Sequence, residues 1–568
     1  MALEHDLQRR PGADTGQSEV VAFLSNPAAY GAAPAQVECI VTHAAMVFLV
    51  GTEAYKIKRA VTYSYLDFST LEQRRRACEH EFDVNRANAP DIYLGVTPIV
   101  RSSEGKLAIG GSGPVVEWAV RMRRFETASL LSNLFATTPP SDQTVRDLAQ
   151  AVVERHQGAT RIATPDGAVR IGAIVEELRV AFAEFSDQLP RAAVDRFVDL
   201  ADAELDRIRL CLKFRGRRGC IRHCHGDLHL GNIVEINTKP VLFDAIEFDD
   251  EMATIDVFYD LAFLLMDLDQ RGYRRAANLL LNRYLKLSHD PLDHYGLATL
   301  PLFLAVRAAI RAMVALQRGH GGDQQTADAA WRYLDQALGY LTPTEPCLIA
   351  IGGCSGTGKS TLARGLSPLT GRSPGGVHLS SDMVRKDLAG VPELQRLDAA
   401  SYAPDVTAAV YQRLQAKATR VLRSGYSVVV DATFLKERDR TAIEAIARRL
   451  GVPFVGLWLT APQPVARARV ASRHADVSDA TPDVVERQYA AIIPPPNWIA
   501  IDAGGSAEET LRAARGHVET LGRGVERVQT GQQRTELDMQ HDDGHLFCDC
   551  WRQTRSVPCR PMTSTPPH

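Results

Sequence analysis

No apolar run in this sequence is both long and clean enough to read as a membrane span. The most apolar long segment, Leu297 to Leu316, is broken by Pro301 and carries Arg307 and Arg311, so it reads as a buried helix. Charge of either sign is also missing in excess. The 65 Lys and Arg against 68 Asp and Glu leave a net −3, too weak a field for obligate nucleic-acid binding. Met1 to Ser18 is polar and charged, without the apolar core of a secretory signal. The ten cysteines show no framework spacing, which favours reduced thiols in a cytoplasm. A soluble cytoplasmic protein is expected. At 568 residues it should hold more than one domain, because single cores stop growing near about 250–300 residues.

What is present centres on Gly353-Cys354-Ser355-Gly356-Thr357-Gly358-Lys359-Ser360, which fits the phosphate-binding loop pattern G-x-x-x-x-G-K-[ST]. The apolar run Cys347–Ile351 suits a buried parallel strand, and Lys359–Leu366 reads as a helix start. Strand, glycine turn and helix aim backbone N–H groups and the positive end of a helix at phosphate oxygens. Lys359 would place a charge on the β/γ-phosphates of ATP, Ser360 a hydroxyl on Mg²⁺, and Thr361 continues the binding set.

Along the chain, residues 1–36 are rich in Gly, Ala, Pro and polar groups and should be loose, apart from a short helix near Glu19–Leu24. Met46–Val50, a turn at Gly51–Glu53, and Ala54–Lys58 read as two strands. Leu71–Ala87 reads as a charged helix carrying Glu79 and Glu81, followed by strands at Ile92–Val100 and Val115–Met122. Helices then dominate at Gln143–His156, Ile174–Leu189 and Val194–Phe214. The basic run Lys213, Arg215, Arg217, Arg218 and Arg222 reads as a solvated face, and Arg307 and Arg311 as makers of structural ion pairs. Cys220 and Cys224 beside His223 and His225 lack the second cysteine pair of a zinc site.

A second constellation is His225-Gly226-Asp227-Leu228-His229-Leu230-Gly231-Asn232, followed by Phe243-Asp244. In kinase-type transfer such an Asp accepts the acceptor's hydroxyl proton, while the Asn and the later Asp hold Mg²⁺. This set resembles the catalytic core of the aminoglycoside phosphotransferase/choline kinase-like family over about residues 37–340. The resemblance implies a protein-kinase-like small lobe over a helical lobe. Asp227 would be the base and Asn232 and Asp244 metal ligands. Lys56, or Lys58, would contact phosphate, with Glu81, or Glu79, as its partner. Asp256 and Asp260 would be structural acids. No G-x-G-x-x-G precedes Ala54; Thr42–Ala45 stands there instead.

After a proline-bearing linker at 341–346, strands at Cys347–Ile351, Val377–Ser381, Ser427–Asp431, Phe454–Leu459 and Trp498–Ile501 alternate with helices. That alternation predicts a doubly wound α/β domain over 347–525, with ligands at the strands' carboxyl ends. The layout resembles the polynucleotide-kinase and zeta-toxin-like P-loop kinases. The resemblance implies Asp382 as acceptor base, Arg385 as acceptor contact, Arg469 or Arg473 as lid arginine, and Asp431 as the acid near Mg²⁺. The whole chain resembles bifunctional aminoglycoside phosphotransferase/ATP-binding proteins. An ATP- and Mg²⁺-dependent kinase of a small-molecule acceptor is expected, with a nucleic-acid end as the second domain's alternative and a nucleotide-binding sensor as the first's. The tail 526–568 is polar and proline-punctuated, as disordered segments are; its His541, His545, Cys548, Cys550 and Cys559 have weak metal spacing.

Overall fold

A computed structural model describes residues 17–31, 36–42, 44–63, 66–164, 166–185, 188–290, 292–318, 324–473 and 477–523. The tail 526–568 and residues 1–16 lie outside them. The chain opens with helix α1 (Ser18–Leu24), strands β1 (Val37–Val41), β2 (Ala45–Val50) and β3 (Glu53–Lys58), and a small hairpin, β4 (Thr62–Tyr63) and β5 (Leu66–Asp67). Helix α2 (Leu71–Arg86) and strands β6 (Tyr93–Arg101), β7 (Leu107–Ile109) and β8 (Val115–Arg123) follow. The antiparallel sheet runs β1-β2-β3-β8-β6-β7.

Strand alternation sorts β3. Tyr55 and Ile57 face α1, packing with Val20, Leu24 and Phe48, so Gln17–Gly31 is not the loose segment the composition suggested. Lys56 and Lys58 point to the other face. There α2 starts at a capping box, Thr70 with Gln73, and buries Arg74, Cys78, Glu81 and Asn85 along one stripe.

The helical lobe contains α3 (Leu131–Thr137), α4 (Asp142–Gly158), α5 (Gly167–Glu184), α6 (Arg191–Arg217), β9 (Ile221–His223), β10 (Ile233–Ile236), β11 (Lys239–Leu242), α7 (Asp250–Ala253) and β12 (Thr254–Asp256). It ends with α8 (Val257–Gln270), α9 (Arg274–Leu287), α10 (Asp293–Gly296), α11 (Leu300–Arg318) and α12 (Gln324–Leu341). Helix α5 begins before the expected Ile174 because Ala168, Ile171, Val175 and Leu178 already form a buried helical stripe. The apolar segment Asp293–Gln317 would pass as a membrane span by length and composition, but 83% of its most apolar 18-residue stretch is buried inside this lobe.

The basic run is not a uniform solvated face. Arg215 is buried, donates to both carboxylate oxygens of Asp256 at 2.7 Å, and lies 4.5 Å from the Phe258 ring centroid. Arg222 is also buried and donates to the His156 carbonyl. Only Arg217, Arg218 and Lys213 match the expectation of exposure.

The second sheet is wholly parallel, ordered β14 (Val377–Ser380), β15 (Val428–Asp431), β13 (Leu348–Gly353), β16 (Phe454–Thr460), β17 (Ile499–Asp502). Its helices are α13 (Lys359–Leu366), α14 (Ser381–Ala389), α15 (Pro404–Arg423), α16 (Glu437–Leu450), α17 (Gln463–Ala471), α18 (Pro482–Ala491) and α19 (Ala507–Arg523). The chain reverses direction across the sheet at β13, so the crevice at that strand's carboxyl end is the topological switch point. Helix α9 of the helical lobe packs beside β14. Arg274 donates to the Pro368 and Gly371 carbonyls (2.8 and 2.9 Å), Asn278 donates to Gly376 O (3.0 Å), and Asn282 Oδ1 accepts from His378 N (2.7 Å).

Removing one partner of the buried Arg215–Asp256 pair leaves an uncompensated charge. Arg215→Ala is expected to cost about 3–5 kcal/mol in denaturant unfolding. Arg217→Ala, two residues on and exposed, should stay within about 0.5 kcal/mol. Equal effects would contradict the placement.

Candidate active sites

In the first site, Lys56 Nζ bonds Glu81 Oε1 and Asp244 Oδ1, both at 2.8 Å. The two alternatives for the lysine resolve into a shared carboxylate, because Lys58 Nζ lies 2.7 Å from Glu81 Oε2 and also meets Glu247. Glu79 instead faces Arg75 on the surface at 3.5 Å. Burial pushes the Glu81 carboxyl up, but the charges of Lys56 and Lys58 outweigh it and hold the group low. Burial would likewise lower Lys56, yet Asp244 and Glu81 raise it well above an ordinary lysine.

Asp244 adopts the left-handed backbone at φ 58°, uncommon for a non-glycine residue and characteristic of functional loops. Tyr93 OH accepts from its N–H at 3.2 Å, and Asn85 Oδ1 accepts from Ala245 N at 2.9 Å. Asn232 Nδ2 donates to the Asp227 carbonyl (3.0 Å) and Oδ2 (2.9 Å), leaving its amide oxygen as the donor atom for a cation. Burial raises Asp227; the His229 imidazole, 3.5 Å away, together with His225 and Arg307 outweighs it and holds the carboxyl well below the usual range.

The loop carrying these groups is pinned from beneath. Asp260 accepts from the N–H groups of His225 (3.1 Å) and Gly226 (2.9 Å), and Asp267 from Leu230 N (3.0 Å). Arg307 makes no ion pair of the expected kind among the described residues. It donates to Gly226 O and Tyr259 O and stacks 3.9 Å from the Tyr259 ring centroid. Cys224, His156 and Asp260 lie close enough together to hold a metal, but His156 is hydrogen-bonded to Asp260 (3.1 Å) and Tyr284 (2.9 Å).

In the second site, β13 ends in the loop Gly353–Ser360. A side chain at Gly353 would meet the Leu459 carbonyl at 2.6 Å, and one at Gly356 the Ala466 carbonyl at 2.3 Å, so the loop can close only with glycine. At Gly358, φ is +90° and a Cβ would meet open space. Thr357 Oγ1 and Lys359 Nζ both donate to Cys354 O at 2.8 Å, which draws the loop around its own centre. Ser360 Oγ donates to Asp431 Oδ2 at 2.7 Å, and His378 Nε2 meets Asp431 Oδ1. Burial raises Asp431, and His378, Ser360 and Lys359 together bring it below its usual value. Burial lowers Lys359 despite Asp431 and Asp382, and burial raises Asp382.

Gly356, Lys359, Ser360, Thr361, Asp382, Asp431 and Arg473 line one cavity of about 220 Å³. Its opposite wall comes from the helical lobe: Asp142 and Arg146 of α4, and Asn282, Arg283 and Lys286 of α9. Two expected contacts are elsewhere. Arg469 is not a lid group facing this cavity; it donates to the carbonyls of Ala503 and Gly505, both 2.7 Å, because α17 lies along the end of β17. Arg385 is buried beneath the Tyr402 ring and donates to Ser401 O at 2.7 Å, so it braces the segment after α14 and does not line the cavity.

An AAA domain model matches residues 348–495, which contain the loop, Asp382 and Asp431. Protein Rv2004c of Mycobacterium tuberculosis (strain H37Rv), described as uncharacterized, is 31% identical over 484 residues, covering 83% of this chain and 93% of that one. Mb2027c of Mycobacterium bovis is equally similar. The chain belongs to their family. Among solved structures, a gluconokinase from Sinorhizobium meliloti is 21% identical over 33% of this chain and 99% of its own, with TM-score 0.24. A choline/ethanolamine kinase family protein from Mesorhizobium loti (13%, TM-score 0.34) covers 57% of this chain and 98% of its own. Aminoglycoside 2'-phosphotransferase-IIIa in its GDP complex gives the same identity, TM-score and share of this chain, over 99% of its own.

Three residues of this family member's sites carried no usable signal in the sequence. His378 sits on a strand with its imidazole on Asp431; Gln488 of α18 accepts from Ser355 N at 2.7 Å; Lys386 pairs with Asp479 at 2.9 Å. The Gln488 amide oxygen occupies an N–H that the loop pattern assigns to phosphate. Gln488→Ala is therefore expected to tighten nucleotide binding a few-fold by titration, and a weakening would show that Gln488 supports the loop.

Asp260, with Glu81 and Asp227, contributes to the acid dependence of the first site. Its carboxyl is raised by burial and more strongly lowered by His156, His225 and Arg307, to about 2 against 3.8 unfolded. The stabilisation, about 2 kcal/mol, is complete above pH 3.8 and is lost as pH falls through about 2. Acid unfolding of Asp260→Asn should be flatter over that window than the wild type's; an identical curve would contradict the assignment.

Proposed function

We propose that the chain is a cytoplasmic ATP- and Mg²⁺-dependent phosphotransferase with two nucleotide-using sites, acting on small hydroxylated acceptors. The observation that carries this reading is the single cavity holding the phosphate loop, the Ser360–Asp431 pair and Asp382. Ser360 and Asp431 offer hard oxygen donors within 2.7 Å of each other, and Asn232 and Asp244 carry an amide and a carboxylate oxygen in the first site, the ligand types Mg²⁺ takes. Bound there, Mg²⁺ would neutralise phosphate charge. The residues do the rest. Lys359 neutralises the β/γ-phosphates, and Asp382 takes the proton of the acceptor hydroxyl. The hydroxyl oxygen then bonds to the γ-phosphorus as the bond to ADP breaks. Burial raises the affinity of Asp382 for that proton, which suits a general base. In the first site Asp227 takes the same role, Asn232 and Asp244 would hold the metal, and Lys56 would contact phosphate.

Acceptor-dependent ADP release from the full chain, screened over sugars, amino alcohols, aminoglycosides, nucleosides and oligonucleotides, tests this. Lys359→Ala should impair both binding and turnover at the second site. In an Asp227→Asn background, Asp382→Asn should keep nucleotide affinity at the second site within a few-fold and lose about 10²–10⁴ in rate. Wild-type turnover in Asp382→Asn would make the second domain a plain ATPase.

One observation favours a sensor reading for the first domain alone. The turn that would cover the phosphates has no glycine and is closed on itself, with Thr42 N donating to Ala45 O (2.9 Å) and Ala45 N to Thr42 Oγ1 (3.0 Å). In a Lys359→Ala background, Asp227→Asn should abolish the remaining transfer while sparing nucleotide binding, and Asp244→Ala should weaken both. Nucleotide binding without transfer to any acceptor in that background would establish the sensor.

A further inference from the structure

A second chamber of about 220 Å³ lies at the seam between the helical lobe and the parallel-sheet domain, sharing Asn282, Lys286 and His378 with the phosphate-loop cavity. It contains neither Lys359 nor Asp382. Arg413, Lys417 and Arg420 reach it from one face of α15, spaced four and three residues apart. His289, Asp290 and His294 reach it from the helical lobe, and Asp387 from the end of α14.

The charges in this chamber do not balance. Lys417 pairs with Asp387 at 3.2 Å, and Lys286 pairs with Glu393. Asp290 is occupied by the Leu292 N–H at 2.9 Å. Arg413 and Arg420 have no acid partner among the described residues; the Arg420 guanidinium lies 5.7 Å from the Tyr295 ring centroid. His294, only 6% exposed, lines the same chamber, and its Nδ1 has no hydrogen-bond partner. A buried polar nitrogen left unpaired, beside two unpaired guanidinium groups, is an arrangement that an oxyanion completes.

We propose that this chamber binds a phosphate group, free or borne on a small molecule, through the guanidinium groups of Arg413 and Arg420 and the imidazole of His294. Forked guanidinium donors and one imidazole N–H match the several acceptor oxygens of a tetrahedral dianion better than the two of a carboxylate. The state of His294 agrees with this field: burial, then the charges of Lys417, Arg420 and Arg413, depress its pKa to about 3, so it is a neutral hydrogen-bonding group at working pH. The proposal is independent of whether the chain transfers phosphate.

Calorimetric titration of the full chain carrying Lys359→Ala, which weakens the phosphate-loop site, tests it with inorganic phosphate and with glycerol 3-phosphate as probes. One equivalent should bind. Arg413→Gln with Arg420→Gln should weaken it at least tenfold, and His294→Leu several-fold. Arg413→Lys with Arg420→Lys keeps the charge without the fork, so it should bind more tightly than the double glutamine variant and more weakly than the parent, which guards against misfolding. Arg423→Gln, exposed on the same helix outside the chamber, should change nothing. Tighter binding of the ester identifies a phosphorylated small molecule as the ligand, and equal binding identifies free phosphate. Absence of binding in the Lys359→Ala chain, or affinity unchanged in the double glutamine variant, overturns the proposal.

Discussion

One buried carboxylate, Asp431, ties the second site to the rest of the molecule. Its two oxygens are divided between Ser360 of the phosphate loop and His378 of the neighbouring strand. The backbone of His378 is in turn fixed by Asn282 of helix α9. Hydrogen bonds thus run from the helical lobe of the first domain to the oxygen donors that would meet Mg²⁺. A carboxylate so held stays ionised despite burial, because His378, Ser360 and Lys359 each favour the charged form.

The first site obeys the same constraint with different residues. Glu81 is fully buried and is tolerated there because Lys56 and Lys58 both reach it. The loop that carries Asp227 and Asn232 is held from below by Asp260, Asp267 and Arg307 through backbone atoms, in addition to the bonds its own Asn232 and His229 make. Helix α9 packs between the two constellations, against α4 and α8 on one side and beside β14 on the other.

Which parts were legible in the sequence follows from range. The phosphate loop, the Asp227–Asn232 pair, the strand end at Asp431 and Asp382 in the first turn after a strand are local patterns, in which spacing alone imposes the geometry. Lys56 and Lys58 share a face by strand alternation, but that one carboxylate serves both depends on where α2 docks. Arg215 could not be told from Arg217 in a basic run, because its burial is decided by Asp256, 41 residues away. Arg385 and Arg469 were placed by resemblance, and local carbonyls claimed them instead. His378 and Gln488 reach Asp431 and Ser355 from elements 53 and 133 residues away in the parallel-sheet domain, and the cationic wall of α9 arises only when the lobe meets that domain.

The account stands most directly on the number of nucleotides the chain holds. Calorimetric titration of the full chain with a non-hydrolysable ATP analogue and Mg²⁺ should give two sites per chain. One should be lost in Lys359→Ala, the other in Asp244→Ala, and both in the double variant. A single site that survives either substitution unchanged, or binding indifferent to Mg²⁺, would contradict it.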